Sequence, residues 1–362
     1  MKRKTIVPDE LRFAVTRKCN GACRHCYNNS GYDTRELSAG EFVHILREAK
    51  ELNPALDRIT LTGGEPLDET EKVISIARTA QSLGVRVRLA TRGWELNQTL
   101  CKELKEVGVT RIQIGLDSSG RREYRDEKGR KWDSSHSWLR ADHEGFSKAI
   151  CGIRNAVAAG VSVSVRYSLA KLNIDDAIDT YAFASTLGVT KFKLRVLFPG
   201  GRAMRNLLTQ LVSGKELAEV QFSLIQASTK ERMQIEVTQP CFFPLPFRCE
   251  LEQGGFSSNA YKESCPCGTA AAYIDSNGDV KYCLFDQQSL GNVFVDSFVS
   301  IWNSETARKA RERRCPLDAT GSGCSAFEVL YRQFGDYSRF INEYVASAVE
   351  LSKKFHAQRE CA

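Results

Sequence analysis

Long hydrophobic runs are missing from this sequence: no apolar stretch approaches the roughly 18 residues that a membrane-spanning helix requires. An export signal is missing too. Met1-Lys2-Arg3-Lys4 is basic but reaches Pro8-Asp9-Glu10 without the apolar segment a signal peptide carries. Basic tracts interleaved with aromatics are absent, and the net charge of +7, from 51 Lys+Arg against 44 Asp+Glu, is mild. Neither nucleic acid nor a membrane is therefore an expected partner. Cysteine, by contrast, is abundant, with 13 among 362 residues. Without an export signal these point to metal or redox chemistry in a reducing cytoplasm rather than to a disulfide framework. The remaining composition, 42% apolar and 26% charged, is that of an ordinary globular chain. Its length suffices for one large domain and a smaller one.

Three of the cysteines fall in Cys19-Asn20-Gly21-Ala22-Cys23-Arg24-His25-Cys26-Tyr27, just after a short apolar strand. Three thiolates can hold three irons of a [4Fe–4S] cube and leave the fourth iron open to a small molecule, whereas an ordinary ferredoxin supplies four. A zinc knuckle with His25 as fourth ligand is the alternative. Further on, Thr62-Gly63-Gly64-Glu65-Pro66 ends the next expected strand. Its glycines let backbone approach a ligand, and its carboxylate can take an ammonium group.

The chain repeats one unit. Leu11, Phe13 and Val15 alternate as a strand. Ser38-Ala39-Gly40-Glu41 reads as a capping box opening a helix with Phe42, Ile45, Leu46 and Ala49 on one face. Asp57 to Thr62 is a second strand. Four helical stretches then end in Gly followed by Val, at Gly84, Gly108, Gly160 and Gly188, where a left-handed glycine stops the helix and valine opens a strand. Strands are expected at 85–91, 109–117, 161–168 and 189–198. Six β/α units imply an α/β fold with a parallel sheet and right-handed crossovers, a partial (β/α)6 barrel carrying its chemistry at the C-terminal strand ends.

The two motifs, in this order and spacing, resemble the radical SAM superfamily, whose fold is the same partial barrel. The resemblance implies a [4Fe–4S] cluster on Cys19, Cys23 and Cys26, with S-adenosylmethionine (SAM) chelating the open iron. It also implies that Tyr27 meets the adenine through its backbone and that Gly63, Gly64 and Glu65 take the methionine ammonium. Arg92 stands where related enzymes often carry Asn. Asp117 is a candidate for a ribose hydroxyl, Arg166 and Asn173 for carboxylate or ribose, and Leu197 for a backbone contact to adenine. The charged stretch 118–143, which contains Trp132 and Trp138, is either a lid or a solvated excursion.

A boundary is expected near 200–213, dividing a barrel of residues 1–212 from a smaller C-terminal auxiliary-cluster domain of residues 213–362. There Cys267 and Cys283 bracket an expected hairpin, with Ala271–Asp275 and Asp279–Cys283 around Ser276-Asn277-Gly278. This C-x10-G-x4-C spacing, with Gly291-Asn292-Val293 and Ile301-Trp302, resembles the SPASM domain of many radical SAM enzymes. The full pattern continues with four more cysteines, but here Asp318 and Glu328 replace two beside Cys315 and Cys324. The expectation is the shortened twitch form with one auxiliary [4Fe–4S] cluster on Cys267, Cys283, Cys315 and Cys324; zinc on the same thiolates is the alternative. Cys249 and Cys265 compete as ligands and are candidate hydrogen donors. Cys101 and Cys151 read as buried thiols.

What the resemblance implies is reductive SAM cleavage to a 5′-deoxyadenosyl radical, which takes hydrogen from an unactivated carbon. A flavodoxin- or ferredoxin-type donor would supply the electron. The expected reaction is oxidative modification or crosslinking of a ribosomally made peptide, although no leader-recognition domain precedes Leu11. Dehydrogenation or epimerisation of a sugar or aminocyclitol is the second reading, and a non-catalytic electron carrier the third. The glycine-rich loop argues against a carrier, which needs no SAM site.

Overall fold

The computed structural model describes residues 7–31, 35–228, 233–239, 267, 270–286, 288–312 and 335–360. Among these, the first strand is β1 (Glu10–Thr16), followed by β2 (Arg58–Gly63), β3 (Arg86–Thr91) and β4 (Val109–Gly115). A small hairpin, β5 (Tyr124–Arg125) and β6 (Lys131–Trp132), precedes β7 (Ser162–Leu169) and β8 (Lys191–Val196). After them come β9 (Gln234–Gln239), β10 (Ala271–Ile274), β11 (Asp279–Lys281) and β12 (Gly291–Asn292). The main sheet runs β12-β11-β10-β1-β2-β3-β4-β7-β8-β9. From β10 across to β9 every pairing is parallel. The six expected β/α strands are its centre. Residues beyond 212 extend the same sheet at both edges, through β9 against β8 and β10 against β1.

Strand alternation explains the layers. One face of β1 sends Leu11, Phe13 and Val15 outward, fully buried under helices, and Phe13 meets Phe42 with ring centroids 5.0 Å apart. Phe42 belongs to α1 (Ala39–Leu52), which buries Phe42, Ile45, Leu46 and Ala49 as its periodicity requires. Its capping box is formed: Glu41 N donates to Ser38 Oγ at 3.3 Å, and Ser38 N to Glu41 Oε2 at 2.7 Å. The opposite strand face turns polar side chains such as Arg12 and Thr60 into the barrel. The four helix-ending glycines all have positive φ, between 67° and 91°.

The stretch 118–143 is more ordered than its charge suggests. It folds as the β5–β6 hairpin and a short helix (Ser135–Arg140), with Trp132 buried and stacked on His143 at 3.9 Å. Cys101 is buried as expected. Cys151 is exposed, correcting its expected burial: it lies on the solvent side of helix Gly145–Ala158, whose buried face is formed by Ala149, Ile150, Ile153 and Ala156. No helix of the described residues is long and apolar enough to cross a membrane.

Candidate active site

The C-terminal ends of β1 and β2 are joined by backbone. Gly64 N donates to the Thr16 carbonyl at 2.7 Å and Glu65 N to the Lys18 carbonyl at 2.9 Å. Only glycine fits this joint. A Cβ on Gly63, at φ +139°, would lie 2.3 Å from Thr16 O, and one on Gly64 would lie 2.2 Å from Lys18 O. The cysteine loop therefore lies directly against the glycine loop. Cys19, Cys23, Cys26, Tyr27, Gly63, Gly64, Glu65 and Arg166 line one cavity of about 100 Å³. This brings together most of the residues that the sequence singled out for the first cluster and SAM.

Three charged side chains fasten the cysteine loop, and sequence reasoning missed most of their work. Arg202 donates to the carbonyls of Cys23 at 2.8 Å, Ser30 at 2.6 Å and Gly21 at 3.3 Å. Its own N–H reaches the Cys26 carbonyl at 2.8 Å. Arg92 bonds Asn20 in the loop, Glu95 and Asp68, and lies over the Trp94 ring at 4.5 Å, so it acts as a strut. Arg17 pairs with Asp275 at the tip of the β10–β11 hairpin. In the sequence, Arg202 falls in the expected boundary stretch 200–213; nothing in one sequence announces a guanidinium aimed at carbonyls nearly two hundred residues away.

The thiols are half-buried, and burial raises that of Cys19 to about 11. A Cβ on Gly21 would lie 3.3 Å from Cys19 Sγ and 3.7 Å from Cys23 Sγ, so the loop closes tightly between the two thiols. Among the described residues no three Cys, His, Asp or Glu side chains meet closely enough to hold a single metal ion. Thiols splayed around a cavity fit a cube, whose irons are spread over its body, better than one ion. His25 does not complete a zinc site. Its Nδ1 faces the Leu139 carbonyl at 3.2 Å and its Nε2 faces Asp117 at 3.9 Å, with its pKa pulled to about 3 by burial.

Asp117 and Asn173 stand behind the cavity wall. Asp117 is fully buried, accepts from Arg140 at 3.0 Å and from Ser168 N at 2.8 Å, and has its carboxyl held far below the usual range by Arg140, His136 and His25 against the cost of burial. Asn173 donates to the Asp117 and Ser168 carbonyls and accepts from Ala170 N. Both are buried and neither lines the cavity, so in this arrangement neither reaches a ribose bound there. Arg166 faces the cavity and bonds no described side chain; Leu197 lines the adjoining inner cavity.

Glu65 is buried, with its carboxylate turned into the wall. It accepts from Thr91 Oγ1 at 2.6 Å, Arg92 N at 2.9 Å and Leu67 N at 3.1 Å. Burial, then the nearby Glu95 charge, pushes its pKa to about 7 against these donors. A folded-state pKa above the unfolded value means the native state holds the extra proton. Stability from this group is therefore full below about pH 4.5 and lost as pH rises to about 7. Urea unfolding of cofactor-free protein between pH 5 and 7.5 should show this fall, and Glu65→Gln should flatten it. An unchanged slope would remove Glu65 as its source.

Nearer the start of β1, Arg12 Nη1 donates to Cys267 Sγ at 3.4 Å, and Cys267 and Cys283 are both buried beside the formed hairpin. Cys249, Cys265, Cys315 and Cys324 lie outside the described residues.

A radical SAM superfamily model matches residues 13–184, and a model of an iron–sulfur cluster-binding domain, SPASM, matches residues 265–325. The chain is a radical SAM enzyme with a SPASM domain. Its cofactors are SAM, the [4Fe–4S] cluster of the first domain and auxiliary iron–sulfur. It is 24% identical over 351 residues to the AdoMet-dependent heme synthase of Methanosarcina barkeri, covering 92% of this chain and 95% of that one. It is also 24% identical to the sporulation killing factor maturation protein SkfB of Bacillus subtilis, over 82% of this chain and 65% of the relative. The radical SAM fold agrees with that of Streptococcus suis SuiB, solved with its precursor peptide SuiA, at TM-score 0.65 and 15% identity over 88% of this chain and 72% of the other.

Proposed function

We propose that this radical SAM enzyme oxidises a substrate held inside the barrel, directly below the thiol cavity. One observation carries the reading. The thiol cavity and a larger inner cavity of about 190 Å³ share His25, Tyr27, Thr62, Ala90, Gln113 and Arg166, and the inner one extends to Arg12, the residue bonded to Cys267. A substrate there would lie between the two cysteine groups.

Bound at these thiols, the cofactors supply a 5′-deoxyadenosyl radical on one side and an electron acceptor on the other. The chain's own work is placement. Arg202, Arg92 and the Gly64 joint hold the cysteine loop against the strand ends, and Phe198 and Phe285, stacked at 3.9 Å, wall the inner cavity against water. We assign the electron-accepting side to one auxiliary cluster in residues 213–362 and the barrel to residues 1–212, with a flavodoxin- or ferredoxin-type donor. Cys249 and Cys265 remain the minority proposal of a hydrogen-returning thiol. For the substrate, the relative SkfB supports a ribosomally made peptide, whereas the cationic wall described below favours an anionic small molecule.

Anaerobically reconstituted protein reduced with dithionite should convert SAM to equal amounts of 5′-deoxyadenosine and methionine, and Cys23→Ala should not. Wild-type protein that takes up zinc, or holds iron without cleaving SAM, would defeat the proposal.

A further inference from the structure

Among the described residues the inner cavity is lined by six cationic side chains, Arg12, Arg88, Arg111, Arg166, Lys193 and Arg195, against two carboxylates, Glu10 and Glu236. Sheet register sets two like-charged pairs directly opposite one another on neighbouring strands: Arg88 with Arg111, and Arg166 with Lys193. Opposed like charges destabilise a sheet, and a bound anion would offset them. The two carboxylates do not suffice. Glu10 serves Arg12 at 3.0 Å and Arg58 at 2.9 Å. Glu236 is divided among Arg195 at 2.6 Å, Lys191 at 3.2 Å and Lys193 at 4.0 Å. Among the described residues the Arg88 side chain makes no hydrogen bond and that of Arg111 makes one, to the Ser162 hydroxyl at 3.3 Å; Glu10 and Glu236 act on them only at longer range.

The cofactors account for some of this charge but not for all of it. Arg12 already meets a thiol of the auxiliary side, and Arg166 lines the thiol cavity, where the carboxylate of SAM would reach it. Arg88, Arg111 and Lys193 line the inner cavity alone. We propose that the inner cavity takes a small-molecule substrate bearing two or more separated carboxylates, held by Arg88 with Arg111 and by Lys193. This rests on the inner cavity being the substrate site of the function proposed above.

The spacing favours separated charges. In register, Arg111 faces Ser162, which lies four residues before Arg166 on β7, so the two pairs are offset by roughly 13 Å of strand. A triphosphate concentrates its charge at one place, whereas carboxylates on one framework can reach both. A peptide fits the wall less well. Its backbone N–H groups need acceptors, but the long side chains here are donors and the two carboxylates are occupied. Carboxylates only accept, which is what the wall requires.

Lys193 adds a signature. It faces Glu236 on β9, Lys191 and Arg195 on its own strand, Arg166 on β7 and Arg88 on β3. Burial, with Arg195, Lys191 and Arg88, draws its ammonium down to about 7, with Glu236 opposing. A bound carboxylate would favour the charged form, so binding near pH 8 should take up a proton.

The test is calorimetric titration of the reconstituted, SAM-bound full chain. The probes are butane-1,2,3,4-tetracarboxylate, its tetramethyl ester, GTP and tri-aspartate. The tetracarboxylate should bind and the ester should not. Arg88→Met and Arg111→Met should each weaken binding by about tenfold or more, and Arg88→Lys less. Proton uptake, read from two buffers of different ionisation enthalpy, should vanish in Lys193→Met. Melting of the ligand-free Arg88→Met protein should be unchanged or higher, since a repulsive charge is gone; this separates lost binding from lost folding. No tetracarboxylate binding, tighter binding of GTP or tri-aspartate, or binding indifferent to all three substitutions would overturn the assignment. SAM cleavage is read separately: its absence would sink the function proposed above, whereas cleavage without tetracarboxylate binding would sink only this inference.

Discussion

Gly64→Ala is expected to bind SAM at least about a hundredfold more weakly than the wild-type chain, a loss of roughly 2.7 kcal/mol. The added Cβ would sit 2.2 Å from Lys18 O and 2.8 Å from Arg17 O. Both are backbone atoms, so no side-chain rotation relieves the clash. The glycine loop must withdraw from the cysteine loop, and the bonds from Gly64 N to Thr16 and from Glu65 N to Lys18 stretch or break. Strain and lost hydrogen bonds of this kind cost several kcal/mol. The damage should stay local, because the sheet pairings of β2 with β1 and β3 lie on the preceding residues. Equilibrium binding of SAM to anaerobically reconstituted protein, with iron content measured beside it, checks the expectation. Near-normal SAM affinity would show that this joint does not shape the cofactor cavity.

The sequence made the scaffold legible because its signals are local. Helix-ending glycines, the Ser38–Glu41 capping box and the Asn277-Gly278 turn each act over a few residues, and each formed where its chemistry required. The two cofactor motifs were equally legible, since their residues are contiguous in the chain and the fold needs only to set two loops side by side. What could not be seen were interactions closed over long separations. Arg202 on the cysteine-loop carbonyls is one, and Arg12 on Cys267 is another. Asp117 and Asn173 looked available because both end or follow strands at the reactive face. The structure pairs them with groups on β7, the following loop and the short helix and buries both behind the cavity wall. The cationic lining was present in alternating strand positions from the start. Without register, however, Arg88 and Arg111, or Arg166 and Lys193, are simply polar residues at period two, indistinguishable from a solvated face.

Replacing Cys19, Cys23 and Cys26 together by alanine is expected to abolish SAM cleavage while leaving about four irons per chain, one full cube. The argument rests on how the two cysteine groups are attached. The first three sit in a loop fastened by Arg202, Arg92 and the glycine joint. Cys267 and Cys283 flank strands of the main sheet, with β10 paired in parallel to β1 from Glu10 through Phe13. Changes after Thr16 leave that pairing untouched, and the Arg12 contact to Cys267 with it. The auxiliary site should therefore assemble without the first. Asp318 and Glu328 standing where the SPASM pattern has cysteine limit the expected number of auxiliary cubes to one. Iron and sulfide analysis with Mössbauer spectroscopy of the triple variant reads the number directly. About eight irons would mean two auxiliary cubes, with ligands beyond Cys267, Cys283, Cys315 and Cys324. None would leave the electron acceptor of the proposed oxidation without a site, and the reaction would then have to end by returning hydrogen to the substrate.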